Sequence, residues 1–350
     1  MAQTIEVGVL GATGMVGQQF IRLLEGHPQL KLTWLGASDR SAGKLYPEAC
    51  SWRLDGPMPA MVRGLTVKEC KPAGAPPIVF SAMDASVATE IERAFAEAGH
   101  WVISNSRNHR MEHDVPLLVP EVNALHLALV KQQQANRGWK GGILTNPNCS
   151  TVGLTMGLGP LRQFGIQRVL VATMQAVSGA GYPGVASLDI LGNVVPYIGG
   201  EEEKMQTETQ KILGALGDGC IVPLDAKVSA HCNRVPVIDG HTVAVSVEFA
   251  KDPGMDAVRD AFTRFRGRPQ ELNLPSAPTT PVLLVDDPTR PQPRRDAMAG
   301  NGMTVTIGRL RPCEVFHYKF VALVHNTIRG AAGAAILNAE LLLAEGYLNA

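Results

Sequence analysis

Cys149 lies in TNPNCST, residues 145–151, between a proline-bearing loop and an apolar run that starts directly after it. A cysteine in that setting is either a small buried hydrophobe or an activated thiol. The following STVGLTMGLGPL reads as a helix whose opening Ser or Thr supplies the cap. A thiolate at a helix start is stabilised by unpaired N–H groups and the macrodipole, which predicts a lowered pKa and labelling ahead of the other cysteines. The same N–H groups are the expected donors to an oxyanion. Such a nucleophile needs a proton carrier. Of nine histidines, His241 in RVPVIDGHT follows a glycine turn at the head of a strand, where it can reach a cleft; His231, His317 and His325 are rivals.

A second constellation sits at the other end of the chain. GATGMVG places glycines at 11, 14 and 17, with the strand-like IEVGVL before it and the helical QQFIRLLEGH after it. Strand, Gly-rich turn and helix together make a dinucleotide-binding unit, with backbone N–H groups facing a pyrophosphate. Gly11, Thr13, Gly14, Met15, Val16 and Gly17 are the expected contacts. The next strand, KLTWLGAS, ends without the acidic residue that reads NAD ribose hydroxyls. Ser38 stands there instead, followed by Arg40, Ser41 and Lys44, which suit a 2′-phosphate and predict NADP; Asp39 opposes that reading. A nicotinamide and a nucleophilic cysteine on one chain imply acyl chemistry, with sulfur holding the acyl group as a thioester.

The elements that position these residues fall into two patterns. Short apolar strands alternate with helices up to GGILTN (141–146), which predicts a Rossmann-type parallel sheet covered on both faces. One covering helix, ASVATEIERAFAEAGH, carries Val87, Ile91 and Phe95 on its apolar face. Beyond Cys149 come longer strands, several alternating, as in HTVAVSVEFA, where Val243, Val245, Val247 and Phe249 share a face. The fold class is therefore α/β, a dinucleotide-binding domain plus an α+β substrate and dimerisation domain with a mostly antiparallel sheet. The expected boundaries are 1–148 for the first domain, completed by the C-terminal helix 328–350, and 149–327 for the second. Residues 286–302, rich in Pro, Gly and charge, read as a surface loop.

Composition narrows the partners. Lys+Arg and Asp+Glu each total 32, so neither nucleic acid nor an acidic membrane surface is an expected partner. The N-terminus has no signal-peptide pattern, and no stretch is apolar enough to span a bilayer. The six cysteines form no CxxC pair, which argues against a disulfide framework or a metal site and fits a reducing cytoplasm. Small molecules remain as partners, with a homodimer or homotetramer expected from the long alternating strands.

GATGMVGQ, SNSRNHRM, PLLVPEVN, TNPNCST, QAVSGAGYPG, EEEKMQTET, RVPVIDGHT and HNTIRGAAG occur in this order along the whole chain. Together they resemble the aspartate-semialdehyde dehydrogenases of the subgroup common in fungi and archaea. The resemblance implies NADPH-dependent reductive dephosphorylation of L-aspartyl-4-phosphate to the semialdehyde, on the route to lysine, methionine and threonine. It implies Cys149 as nucleophile, His241 as acid/base and Gln175 as the residue orienting the substrate. Arg110 and Lys204 resemble the phosphate-binding pair, assisted by Asn105, while Ser178, Gly179 and Asn326 resemble cofactor contacts on the nicotinamide side. Arg234, seven residues before His241, is the expected reader of the substrate carboxylate. Glu201, three before Lys204, shares its helix face and suits the ammonium, although the run of three glutamates leaves the choice open. The nearest alternative is a malonyl-CoA reductase using the same thioester chemistry; it needs no ammonium partner. N-acetylglutamyl-phosphate reductases fit these motifs poorly, and a non-catalytic NADP sensor would not require both thiol and histidine.

Overall fold

Five strands that are largely apolar can be satisfied only in the middle of a layered structure, and that is where they lie, with an exposed two-residue strand at one edge. In the computed structural model, which describes residues 4–348, β1 (Ile5–Leu10), β2 (Leu30–Ala37), β3 (Lys68–Glu69), β4 (Ile78–Ser81), β5 (Trp101–Ser104) and β6 (Gly142–Thr145) form one sheet in the order β3-β2-β1-β4-β5-β6. Every ladder in it is parallel. The strand order reverses between β1 and β4, which opens the crevice used for ligands in doubly wound sheets. The outermost residues of the expected first domain, 1–3 and 349–350, lie outside the described residues.

The covering helix Ala85–Glu97 presents a different face from the one its apolar spacing predicts. Phe95 is buried, but Val87 is exposed and Ile91 only partly covered, while Ala88, Glu92 and Ala96 point inward. Glu92 turns the helix because its carboxylate accepts hydrogen bonds from Ser81 Oγ at 2.6 Å and Ser104 Oγ at 2.7 Å, at the ends of β4 and β5. A buried carboxylate must find such donors, and here they set the helix face.

The remaining strands are β7 (Ile166–Gln175), β8 (Ala215–Leu216), β9 (Ile221–Val222), β10 (Lys227–Arg234), β11 (His241–Phe249), β12 (Val282–Val285), β13 (Val305–Pro312) and β14 (Tyr318–Val324). β8 and β9 pair as a small hairpin, and the others form a second sheet in the order β10-β7-β11-β14-β13-β12. Its three inner ladders are antiparallel and its two outer ones parallel, so the sheet is mixed. In β11 the alternation holds: His241, Val243, Val245, Val247 and Phe249 are all buried. The Cys149–Leu158 helix lies close against this sheet because two of its residues have no side chain. A Cβ on Gly153 would come within 2.8 Å of Val324, and one on Gly157 within 2.8 Å of Phe320.

Residues 286–302 are more ordered than their composition predicts. They form helical turns at Pro293–Asp296 and Ala299–Gly302, and buried Asp296 pairs with Arg290 and accepts the Gln292 N–H at 2.7 Å. The chain then returns to the first sheet through a π-helical turn, Ile328–Ala332, and the helix Gly333–Ala344. Leu274 and Met303, from the second half of the sequence, pack into the same core as this helix, so the two halves interlock.

Arg329 in the π-helical turn is fully buried against Glu121, with Nη1 at 3.0 Å from one carboxylate oxygen and Nη2 at 2.5 Å from the other. Removing one member of such a pair leaves the other charge without compensation. Arg329→Met should therefore cost about 3–5 kcal/mol in urea unfolding, and adding Glu121→Leu should recover most of the loss. Equal stability for Arg329→Met and the unsubstituted protein would show that the pair is not a structural tie.

Candidate active site

The loop after β6 delivers Cys149 as the first residue of its helix. The cap is neither Ser nor Thr. Asn148 fills that place, its Oδ1 accepting the N–H groups of Ser150 at 3.0 Å and Thr151 at 3.3 Å. Those two donors are therefore engaged by the cap, which runs against their expected service to an oxyanion.

His241 opens β11 and is fully buried, with Nε2 3.2 Å from Cys149 Sγ. Its other nitrogen, Nδ1, accepts the Ala176 N–H at 3.0 Å. That bond leaves the proton of the neutral ring on Nε2, directed at sulfur. The rival histidines are engaged differently. His231 is on the exposed side of β10, His317 accepts the Phe249 N–H at the far end of the sheet, and His325 folds back onto the Ile328 N–H.

Around this pair the charged residues converge. Arg234 is buried, donating from Nη1 to Ala176 O at 2.8 Å, so it and His241 hold opposite sides of one backbone segment. Gly179 makes room beside them: a Cβ there would lie 2.9 Å from Arg234 Nη1 and 3.1 Å from His241 Nε2. The three glutamates separate clearly. Glu201 points inward, accepting from Asn148 Nδ2 at 2.8 and 3.0 Å, Lys204 Nζ at 2.8 Å and Gln175 Nε2 at 3.3 Å. Glu202 instead accepts the Cys232 N–H, and Glu203 is exposed. Arg110 donates to Glu208 at 2.9 Å and to Asn105 O at 2.7 Å, while Asn105 Oδ1 accepts from Asn146 at 2.8 Å.

The Gly-rich turn fits a pyrophosphate. Gly11 has φ +74°, and a Cβ on it would meet Ala82 O at 2.6 Å; one on Gly17 would meet Gly11 O at 2.3 Å. Gly14 precedes the Met15–Leu24 helix without a side-chain cap, so the first-turn N–H groups by Thr13, Met15 and Val16 are open to an anion. Ser38 and Arg40 are exposed beyond β2, with Ser41 partly covered, as a 2′-phosphate requires; Asp39 is exposed too. Asn326 links this side to the histidine, accepting the Gly240 N–H at 2.8 Å and donating to Ser178 Oγ at 2.7 Å.

Two family models match the chain: "Semialdehyde dehydrogenase, NAD binding domain" over residues 6–130 and "Semialdehyde dehydrogenase, dimerisation domain" over 158–329. The chain is 54% identical over 343 residues to the aspartate-semialdehyde dehydrogenase of Methanothermobacter thermautotrophicus, covering 97% of this chain and 99% of that one. It is 50% identical over 353 residues to the Schizosaccharomyces pombe enzyme of the same name, covering 98% and 99%. It belongs to the aspartate-semialdehyde dehydrogenase family. A member from Candida albicans, solved with NADP, superposes with a TM-score of 0.91 at 45% identity, covering 99% of this chain and 100% of that one.

Within this family fold, three further residues shape the site. Asn148 caps the helix and holds Glu201. Glu208, seven residues beyond Glu201 on the same helix face, binds Arg110. Gly330 allows the π-helical turn to touch the nucleophile, since a Cβ there would lie 2.7 Å from Cys149 Cβ. The signal for Glu208 is its helical spacing; Gly330 has none, because the contact is made only by the returning chain.

The electrostatics reverse the expectation of a low thiol pKa. Burial and then the Glu201 carboxylate push the Cys149 thiol up to about 12, against the pull of Arg110, Arg234 and the Ser150 N–H. Burial, Arg234 and His325 push His241 down to about 3. The resting pair is thus a thiol beside a neutral imidazole. Cys313 competes as a labelling site: partial burial raises its thiol, but the backbone N–H groups of Phe316 and Val315 outweigh this and hold it below the usual range. Peptide-resolved alkylation of the substrate-free protein should show the Cys149 rate climbing about tenfold per pH unit from pH 7 to 9, following the thiolate fraction. A rate already level at pH 7 would mean that the helix start outweighs burial.

Proposed function

We propose that this protein catalyses the NADPH-dependent reductive dephosphorylation of L-aspartyl-4-phosphate to L-aspartate 4-semialdehyde and phosphate, through a thioester on Cys149. The observation that carries the proposal is the 3.2 Å approach of Cys149 Sγ to His241 Nε2 in a chain of this family. Arg234 reads the substrate carboxylate and Glu201 its ammonium. That pairing offsets the Glu201 carboxylate, one of the two influences that raise the thiol pKa. Sulfur attacks the acyl carbon with Gln175 beside it, the carbon–oxygen bond to phosphate breaks, and phosphate leaves against Arg110, Lys204 and Asn105, carrying the thiol proton. Bound NADPH supplies the hydride that reduces the thioester. With Ser150 and Thr151 N–H taken by the cap, the His241 Nε2–H serves the oxyanion, and the aldehyde is released as the carbon–sulfur bond breaks.

The cofactor side of the proposal rests on Gly11, Thr13, Gly14, Met15, Val16 and Gly17 for the pyrophosphate, and on Ser38, Arg40 and Ser41 for the 2′-phosphate. Ser178, Gly179 and Asn326 serve the nicotinamide side. The division at 148/149, with 328–350 returning to the cofactor half, belongs to the same proposal. Malonyl-CoA reduction is not favoured: Glu201 is held inward by three side chains, an arrangement that a substrate without an ammonium does not need. We also propose a homodimer or homotetramer, supported by the dimerisation model and by exposed apolar side chains such as Leu170 and Met174 on the outer face of the second sheet. Six free cysteines support a cytoplasmic location.

NADP reduction with aspartate semialdehyde should depend on added phosphate, and malonyl-CoA should not oxidise NADPH under the same conditions. Ser38→Asp should cut kcat/KM for NADP at least about tenfold and narrow the gap to NAD, because a carboxylate repels the 2′-phosphate. Turnover of malonyl-CoA but not of the semialdehyde would reverse the substrate reading, and equal use of NAD and NADP by the unsubstituted enzyme would remove the role of Ser38.

A further inference from the structure

The helix Glu201–Ile212 turns four charged residues, at 201, 204, 208 and 211, towards the site loops. The first two belong to the proposed substrate site, and the other two have no part in that reading. Glu208 is 2% exposed and divides its carboxylate between two partners. Oε1 accepts Arg110 Nη1 at 2.9 Å, and Oε2 accepts the backbone N–H of Asn148 at 2.7 Å. Lys211, almost a turn further on, donates its ammonium to the carbonyls of Arg110 and Glu112, both at 2.7 Å, and of Val115 at 2.8 Å. Arg110 is therefore held at its guanidinium by Glu208 and at its backbone by Lys211, while its Nε, also buried, has no hydrogen-bond partner among the described residues.

We propose that Glu208 is a positioning residue for phosphate transfer, bracing Arg110 against the capping residue of the nucleophile helix so that phosphate and sulfur meet at a fixed separation. The inference rests on the acyl-phosphate reading above. A carboxylate beside Arg110 also works against phosphate by neutralising a charge that phosphate needs. Orientation and charge thus predict opposite signs when Glu208 is changed, and the brace requires that orientation win.

Oxidation of aspartate semialdehyde separates the two halves of the reaction. Hydride transfer to NADP leaves the thioester without any phosphate, and a phosphate oxygen then attacks the acyl carbon as the carbon–sulfur bond breaks, its proton passing to sulfur. Glu208→Gln retains an oxygen that can accept the Asn148 N–H but loses the charge facing Arg110. It should raise KM for phosphate about tenfold, the usual scale for a lost charge-assisted contact. The phosphate-free NADPH burst should fall by less than about threefold, and KM for the semialdehyde should follow it. In an Arg110→Lys background the same substitution should add almost nothing, because both changes act through one guanidinium. If Glu208→Gln does not fold, Glu208→Asp keeps the charge, shortens the reach and should show the same split. An unchanged or lower KM for phosphate, full additivity with Arg110→Lys, or an equal loss of burst and phosphate step would overturn the brace while leaving the acyl-phosphate reading intact. Absence of any phosphate dependence in the unsubstituted enzyme would overturn both.

Discussion

The contact between Cys149 Sγ and His241 Nε2 is the constraint to which the rest of the structure answers. One partner stands at the first turn of a helix and the other at the first residue of a central strand, so their separation is set by how closely that helix lies on that sheet. Gly153 and Gly157 permit the approach from one side, and Gly330 lets the returning chain close over Cys149. Asn148 fixes where the helix begins, and the Ala176 N–H fixes which nitrogen of the imidazole faces sulfur. A shift of one residue in β11 would turn His241 to the opposite face of the sheet.

Burial gives this arrangement its electrostatic character. Glu201, Arg110, Arg234, Glu208 and Lys211 are all largely shielded from water, and each is matched by an opposite charge or by backbone carbonyls. Buried charge without such matching is costly. Burial and Glu201 hold the thiol protonated, against the pull of Arg110 and Arg234. The matched charges include those proposed to receive a carboxylate, an ammonium and a phosphate.

The parts legible in the sequence are those carried by local pattern. The strand, Gly-rich turn and helix at residues 5–24 need only neighbours a few positions apart, as does the alternation of Val243, Val245, Val247 and Phe249. The misread parts are long-range. Val87 faces solvent because Ser81 and Ser104, on two strands, claim Glu92. The segment 286–302 is ordered by the pairing of Arg290 with Asp296, which composition does not reveal. In EEEK the spacing to Lys204 favours Glu201 but leaves the run open until Asn148, Gln175 and Lys204 select it. The helix start alone predicts a low thiol pKa, whereas burial, which a linear sequence does not display, raises it.

The central claim is that Cys149 carries the acyl group. The most direct test is intact-protein and peptide mass spectrometry of the enzyme mixed with aspartate semialdehyde and NADP in the absence of phosphate, quenched in acid. The account predicts one aspartyl adduct per chain, on the peptide containing Cys149, formed together with one equivalent of NADPH and discharged when phosphate is added. An adduct on another cysteine, or full turnover by Cys149→Ala, would contradict it.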